Sequence, residues 1–395
     1  MASLLLVLLL LLVHRAARQI KHTWGDPPVL AAWSNSSGSS HHCSWPYVTC
    51  DVPCGHVTSL SLANTKVIGP FPNAIGGLFG LMHEPQPLQQ QPHRRLPDQR
   101  VPLRFAAAPR PLQNLRSLEL DNNYLACTIP PELGDLTGLQ TLTLGYNSFD
   151  VGELPASFKN LTKLKILRAG SSNLTGDFPS YNLRSLELDN NYLACTIPPE
   201  LGALTGLQTL TLGYNSFGMG ELPASFKNPT KLKVLRARSS NLTSEFPSYV
   251  TEMPELEELG LSINALTGSI PPGLGNLTKL RFLTIYANNL TGEVIVSDGA
   301  FGALNLVNID LSMDHKLSEP IPKAFAHLPK LQTLNLFYNN FSGQIPEVLC
   351  DSGKLEYINV GQNLLSGSIP ASLSCCATLK RLILRNNKLS GKVFF

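Results

Sequence analysis

Residues 256–294 read LEELGLSINALTGSIPPGLGNLTK followed by LRFLTIYANNLTGEV, two passes through one pattern. The shared frame is LxxLxLxxNxLxGxIPxxLxxLxx. It begins again at Val57, Leu115, Leu139, Leu164, Leu183, Leu207, Leu232, Leu256, Leu280, Leu306, Leu331, Leu355 and Leu379, with most starts 24 to 26 residues apart. Each part of the frame has a physical reason. LxxLxL is a short strand whose leucines point into the coil. The asparagine after it bonds neighbouring backbone at the turn, so stacked coils build an asparagine ladder. The glycine permits a tight backbone, and Ile-Pro stops further strand. A single coil cannot bury its own leucines, so the coils must stack. The expected fold is an α/β solenoid with parallel strands on its concave face.

The bulk composition agrees. The chain has 395 residues, 43% hydrophobic and 15% charged, enough to bury a core and too apolar for disorder. A net charge of +3 gives no reason to expect nucleic acid as a partner. Leu4 to Val13 is an apolar run of signal-peptide length, and Ala16 and Ala17 supply the small residues of a cleavage site. No positive charge precedes this run, whereas Arg15 and Arg18 follow it. No later apolar stretch reaches the roughly 20 residues of a membrane span. These features predict a secreted or cell-surface protein with a signal peptide over 1–19. Sequons at Asn35, Asn160, Asn173, Asn241, Asn276, Asn289 and Asn340 make those asparagines the candidate glycosylation sites.

Two irregularities interrupt the array. Residues 114–181 and 182–249 are near copies, identical at 60 of 68 positions, and their junction shortens the coil between Leu164 and Leu183 to 19 residues. The expectation is that the side away from the strands absorbs the loss. Residues 79–111 carry seven Pro, five Arg and no repeat frame. They read as a disordered insert in preference to a protruding basic loop, and they leave the docking of the first repeat open.

The N-terminal piece contains WGDPPVLAAW and then CSWPYVTCD. With the G-x-I-P element of the repeat, it resembles the extracellular domains of plant leucine-rich-repeat receptor kinases. TEMPELEELGLSINALTGSIPP and LRFLTIYANNLTGEVIVSDGAFG look most like the HAESA-like and CLAVATA-type peptide-receptor group. The resemblance implies a right-handed superhelix and a cap disulfide between Cys43 and Cys50, with Tyr47 standing where the family motif has glycine. It implies a small secreted peptide or extracellular protein as ligand, with a co-receptor kinase as a further partner. The domains expected are a cap over 20–56, a first repeat over 57–78, the insert, and an array of about twelve repeats over 112–395, the last incomplete. No kinase motif and no terminal cap follow, so the expectation is a truncated receptor relative that signals only through a partner.

In each coil the residues between and just after the strand leucines face the concave surface. They include Glu119, Asp121, Glu187, Asp189, Arg168, Arg236 and Arg238, then an aromatic row of Phe282, Tyr286, Phe337, Tyr338 and Tyr357. Exposed aromatics on one face suit recognition. Members of the resembled group hold a peptide carboxylate with an Arg-x-Arg pair. Here Arg381 matches the first arginine, Ile383 fills the second place, and Arg385 lies two residues further on. Cys350 is placed to bridge to Cys375 or Cys376, while Cys54, Cys127 and Cys195 have no evident partner. No cofactor, metal site or catalytic constellation is expected; His41-His42-Cys43 is assigned to the cap. The alternatives to a receptor-type binder are a soluble protein like the polygalacturonase inhibitors of plants, and a non-functional receptor fragment.

Overall fold

The computed structural model describes residues 17–33, 42–51, 57–72, 114–176, 183–218, 220–294 and 305–392. Most of the signal segment, together with Asn35, Cys54 and the insert 79–111, lies outside them. The chain divides into two compact units, Met1–Asp150 with Leu154–Leu164, and Val151–Glu153 with Lys165–Phe395.

The first unit holds the cap. Residues 17–23 are helical, with Ala17 and Ile20 buried. Three tryptophans fill the cap core. Trp33 stacks on Trp45 at 5.6 Å, and the Trp33 and Trp24 indole N–H groups donate to the carbonyls of Pro46 and Pro70 at 3.1 and 3.0 Å. Strand Val48–Cys50 runs antiparallel to Val57–Ser61. Cys43 is bonded to Cys50 with the Cα atoms 5.6 Å apart. Tyr47 has φ +69, which explains the glycine usual at that place: a side chain is strained there.

The first repeat docks directly on the array. Leu60 lies opposite Leu118 in a parallel ladder, and Leu118 opposite Leu142. Asn123 donates to the Leu62 carbonyl at 2.8 Å, and outer strand Ile68–Pro70 pairs with Tyr124–Ala126. The long segment between these coils does not interrupt their stacking.

The second unit carries ten parallel strands in chain order, from Ile166–Arg168 to Arg381–Ile383. Their middle residues, Leu167, Leu186, Leu210, Leu235, Leu259, Leu283, Ile309, Leu334, Ile358 and Leu382, lie in one register. All but Leu382, at the end of the stack, are buried. Across the described array, the far side of most coils is a 3-10 turn rather than an α-helix. Each of these turns follows a proline, Pro130, Pro155, Pro198, Pro223, Pro247, Pro271, Pro322, Pro346 or Pro370. Proline fixes the φ that opens the turn and needs no N–H partner. The shortened coil keeps its strand register, with Ile166 opposite Ser185, so the loss falls away from the strands as expected.

The ninth residue of the frame, Asn in nine of the thirteen coils and Thr65, Ser172, Ser240 or Asp314 in the others, forms the ladder. Asn288 is typical: its amide donates to the carbonyls of Leu261 and Ile285 at 3.1 and 2.7 Å, and its oxygen accepts from the Leu266 N–H at 3.1 Å. Asn363 repeats the arrangement with Leu336, Val360 and Phe341. Coil 306–330 departs from it. Asp314 takes the ninth place, and an extra residue, His315 at φ +61, precedes Lys316–Ser318. Asp314 Oδ1 accepts from the Leu290 N–H at 3.2 Å, which puts Oδ2 where other rungs have an amide nitrogen. Oδ2 of Asp314 and Oδ1 of Asn339 on the next rung are both buried with no hydrogen-bond partner among the described residues. Burial, and secondarily the Asp310 charge, pushes the Asp314 carboxyl up to about 7.

Candidate functional site: the strand-lined face

The third and fifth residues of each frame lie within the strands, and the seventh and eighth lie along one edge of them. Every eighth residue has a left-handed backbone: Asn64, Asn122, Tyr146, Ser171, Asn190, Tyr214, Ser239, Ile263, Ala287, Met313, Tyr338, Gln362 and Asn386, with φ between 53 and 61 or at 63. The strand turns away there, and Asn tolerates that turn best after glycine. The sequence frame did not reveal this constraint. The asparagines at four of the thirteen places were its only trace.

The in-strand positions are largely self-satisfied. Glu119 accepts from the Ser61 and Ser117 hydroxyls at 2.7 and 2.9 Å, and just past the strand Asp121, a seventh residue, accepts from Thr143. Glu187 pairs with Arg168 at 2.8 Å, and Arg236 grips Glu258 with two bonds of 2.6 and 2.7 Å. Asp189, at a seventh position, accepts from the Thr211 hydroxyl and, at 2.9 Å, from the Gly213 N–H. Burial raises its pKa, and those hydrogen bonds pull it back. Asp310 accepts from Ser312 and Asn335.

The expected aromatic row is not a single row. Phe282 and Tyr357 are third residues, Tyr286 and Phe337 are seventh, and Tyr338 is eighth, because neighbours in sequence at the strand exit turn in different directions. Arginines lie against them. The Arg238 guanidinium is 5.3 Å from the ring centroids of both Tyr214 and Tyr286. Arg381 sits 5.8 Å from the Tyr357 ring, and Arg385 sits 5.9 Å from that of Phe337. His315 meets Tyr338 edge-on at 4.2 Å. Arg381 and Arg385 are thus held on two different rings and do not form one tight pair on a shared strand column. Tyr214 and His315 were not anticipated as parts of the face.

Cys350 is bonded to Cys376, with the Cα atoms 5.7 Å apart, and Cys375 is exposed and free. Cys127 and Cys195 form no disulfide among the described residues, and the Cys195 thiol lies 3.5 Å from the Gly176 carbonyl. His42 lies near Cys43 and Cys50, but those two sulfurs are bonded to each other and are not thiolates able to hold a metal. Among the expected glycosylation sites, Asn160, Asn241, Asn276, Asn289 and Asn340 are exposed and Asn173 is half-buried. Asn173, Asn241, Asn289 and Asn340 share the tenth place of the frame. Asn241 is engaged, donating to the Phe217 carbonyl at 2.8 Å. No helix among the described residues is long and apolar enough to cross a membrane.

Comparison with known proteins places this architecture. Residues 179–390 match the family described as leucine-rich repeat region, 18–51 match the leucine rich repeat N-terminal domain, and 114–136 match the single leucine rich repeat. Receptor-like protein 39 of Arabidopsis thaliana is 35% identical over 162 residues, covering 39% of this chain and 18% of that protein. Receptor-like protein 9DC1 of Solanum pimpinellifolium is 26% identical over 274 residues, covering 61% of this chain and 28% of that protein. The chain therefore spans less than a third of these relatives. Among solved structures, the ectodomain of the Arabidopsis thaliana membrane receptor kinase GASSHO1/SCHENGEN3, in complex with CASPARIAN STRIP INTEGRITY FACTOR 2, superposes with TM-score 0.76 at 31% identity over 97% of this chain and 42% of that one. The Arabidopsis receptor kinase HAESA, in complex with the peptide hormone IDA and the co-receptor SERK1, gives 0.73 at 28% identity over 96% and 66%. The chain belongs to the leucine-rich-repeat family, and its relatives within it are plant receptor-like proteins.

Proposed function

We propose that this chain is an extracellular or cell-surface recognition module that binds an extended secreted peptide on its strand-lined face. Catalysis has no part in this reading, and any signal passes through a partner such as a co-receptor kinase. The observation that carries it is the set of ring–guanidinium contacts at Arg238, Arg381 and Arg385. Rigid aromatics and arginines on one face are the residues that most often dominate binding energy. The solved structures of GASSHO1/SCHENGEN3 and HAESA with their ligands support the same reading. Parallel strands about 4.8 Å apart offer backbone-scale spacing along which an extended chain fits.

The test is binding of extended synthetic peptides to the folded protein. Tyr286→Ala and Phe337→Ala are each expected to weaken binding about tenfold, the loss usual for an aromatic anchor. Unchanged affinity in both variants contradicts the proposal.

A further inference from the structure

Within the second unit, the seventh and eighth residues differ in character from the strand interior. From Gly213 to Asn386 the seventh residues are Gly213, Arg238, Ser262, Tyr286, Ser312, Phe337, Gly361 and Arg385. The eighth residues run Tyr214, Ser239, Ile263, Ala287, Met313, Tyr338, Gln362 and Asn386. Over these eight coils the edge holds two arginines and no carboxylate, and the seventh-position acid one coil earlier, Asp189, is already bonded to the Thr211 hydroxyl and the Gly213 N–H; the third and fifth columns of the same eight coils pair Arg236 with Glu258 and also carry Asp310.

Three observations mark the edge as a contact surface. Tyr214, Ile263, Met313 and Tyr338 are 48%, 40%, 41% and 42% exposed, large apolar side chains at four of the eight eighth positions along the edge. All four keep a left-handed backbone, which Asn would adopt at less cost, and a β-branched residue such as Ile263 is a true outlier there. The fold alone therefore selects against the residues present. Arg238 supplies the third observation. Its Nε is buried without a hydrogen-bond partner among the described residues, and it makes no ion pair there. The two near-identical segments differ at only eight positions, and Gly170 in the first is Arg238 in the second. That is the one difference placing a new charge on this face.

We infer that the ligand lies along this edge, not over the strand centres, and that it is an extended peptide segment carrying a carboxylate for Arg238 and apolar side chains for Ile263, Met313 and Tyr338. The inference rests on the peptide-recognition reading above and narrows it. Eight coils span about 34 Å, the length of roughly ten extended residues. Charge complementarity fixes the sign: an edge with two unneutralised guanidiniums attracts acid, and pairing with a planar guanidinium suits a carboxylate.

The experiment selects from a phage-displayed library of random peptides about ten residues long on the wild-type protein. The selected peptides are then tested on Arg238→Gln, Ile263→Asn, and a Thr284→Ala, Thr333→Ala control on the strand centres. The expected peptides carry Asp or Glu beside apolar residues. They weaken about tenfold on Arg238→Gln and severalfold on Ile263→Asn, and stay within about twofold on the control. Ile263→Asn relieves backbone strain, so lost binding there is not lost folding. Selected peptides that ignore the first two variants and fail on the control overturn the edge while leaving peptide recognition standing. No enrichment over an unrelated protein overturns peptide recognition and the edge with it.

Discussion

The ninth column of the repeat and the seventh and eighth columns are separated by one or two residues in sequence, yet they obey opposite rules. The ninth is buried or half-buried, Asn in nine of the thirteen coils, and bonded across the stack: Asn191, Asn215, Asn264, Asn288, Asn363 and Asn387 each tie two coils together. The eighth is turned outward on a left-handed backbone that favours Asn, but holds Tyr214, Ile263, Met313 and Tyr338. Where the chain follows backbone preference it builds the scaffold. Where it departs from that preference in the open, its side chains are available to a partner.

The largest predicted effect lies at the one acidic rung of the ladder. The Asp314 carboxyl sits near 7 in the folded protein against 3.8 when free. Below about pH 4 it is protonated in both states, and the rung is indifferent to pH. Between about pH 4 and 7 only the unfolded chain ionises, so stability falls as pH rises, by an amount on the order of 4 kcal/mol. Above pH 7 the dependence flattens. Asp314→Asn restores the missing donor and is expected to raise the urea midpoint at pH 7 and remove most of the slope; an unchanged slope contradicts the assignment. Next is Asn288→Ala, which strands two carbonyls and an N–H in the interior. It is expected to lose about 3 kcal/mol by urea titration. Binding of a selected peptide at saturating stability should not change. Arg238→Gln is the converse, expected to alter unfolding free energy by less than about 0.5 kcal/mol while binding drops. Smaller again is Tyr47→Gly in the cap, where relief of the left-handed strain is expected to gain about 1 kcal/mol in the same titration.

Most of the scaffold could be read from spacing. The thirteen starts from Val57 to Leu379 each carry a ladder strand, because the inward leucines leave no other register. Cys43 and Cys50 bond as the cap resemblance implied, and Cys350 chose Cys376 over Cys375 because Cys376 is the inward-facing one of the two. The face was less legible. Phe337 and Tyr338 are consecutive, and only the backbone turn at Tyr338 separates their directions. The Arg238 contacts join coils starting at Leu207, Leu232 and Leu280, so they pass over Ser262, whose small size no pairwise motif records. The irregular rung did leave a signal: LSMDHKLSEPIP has two residues between Asp314 and Leu317, where LGLSINALTG has one between Asn264 and Leu266.

The division between scaffold and contact edge is tested most directly by Ile263→Asn alone, measured for thermal stability and for affinity toward a peptide selected on the wild-type protein. The account predicts opposite movements, a higher midpoint with weaker binding, since Asn suits the left-handed backbone and lacks the apolar surface. A lower midpoint, or binding left intact, would contradict it.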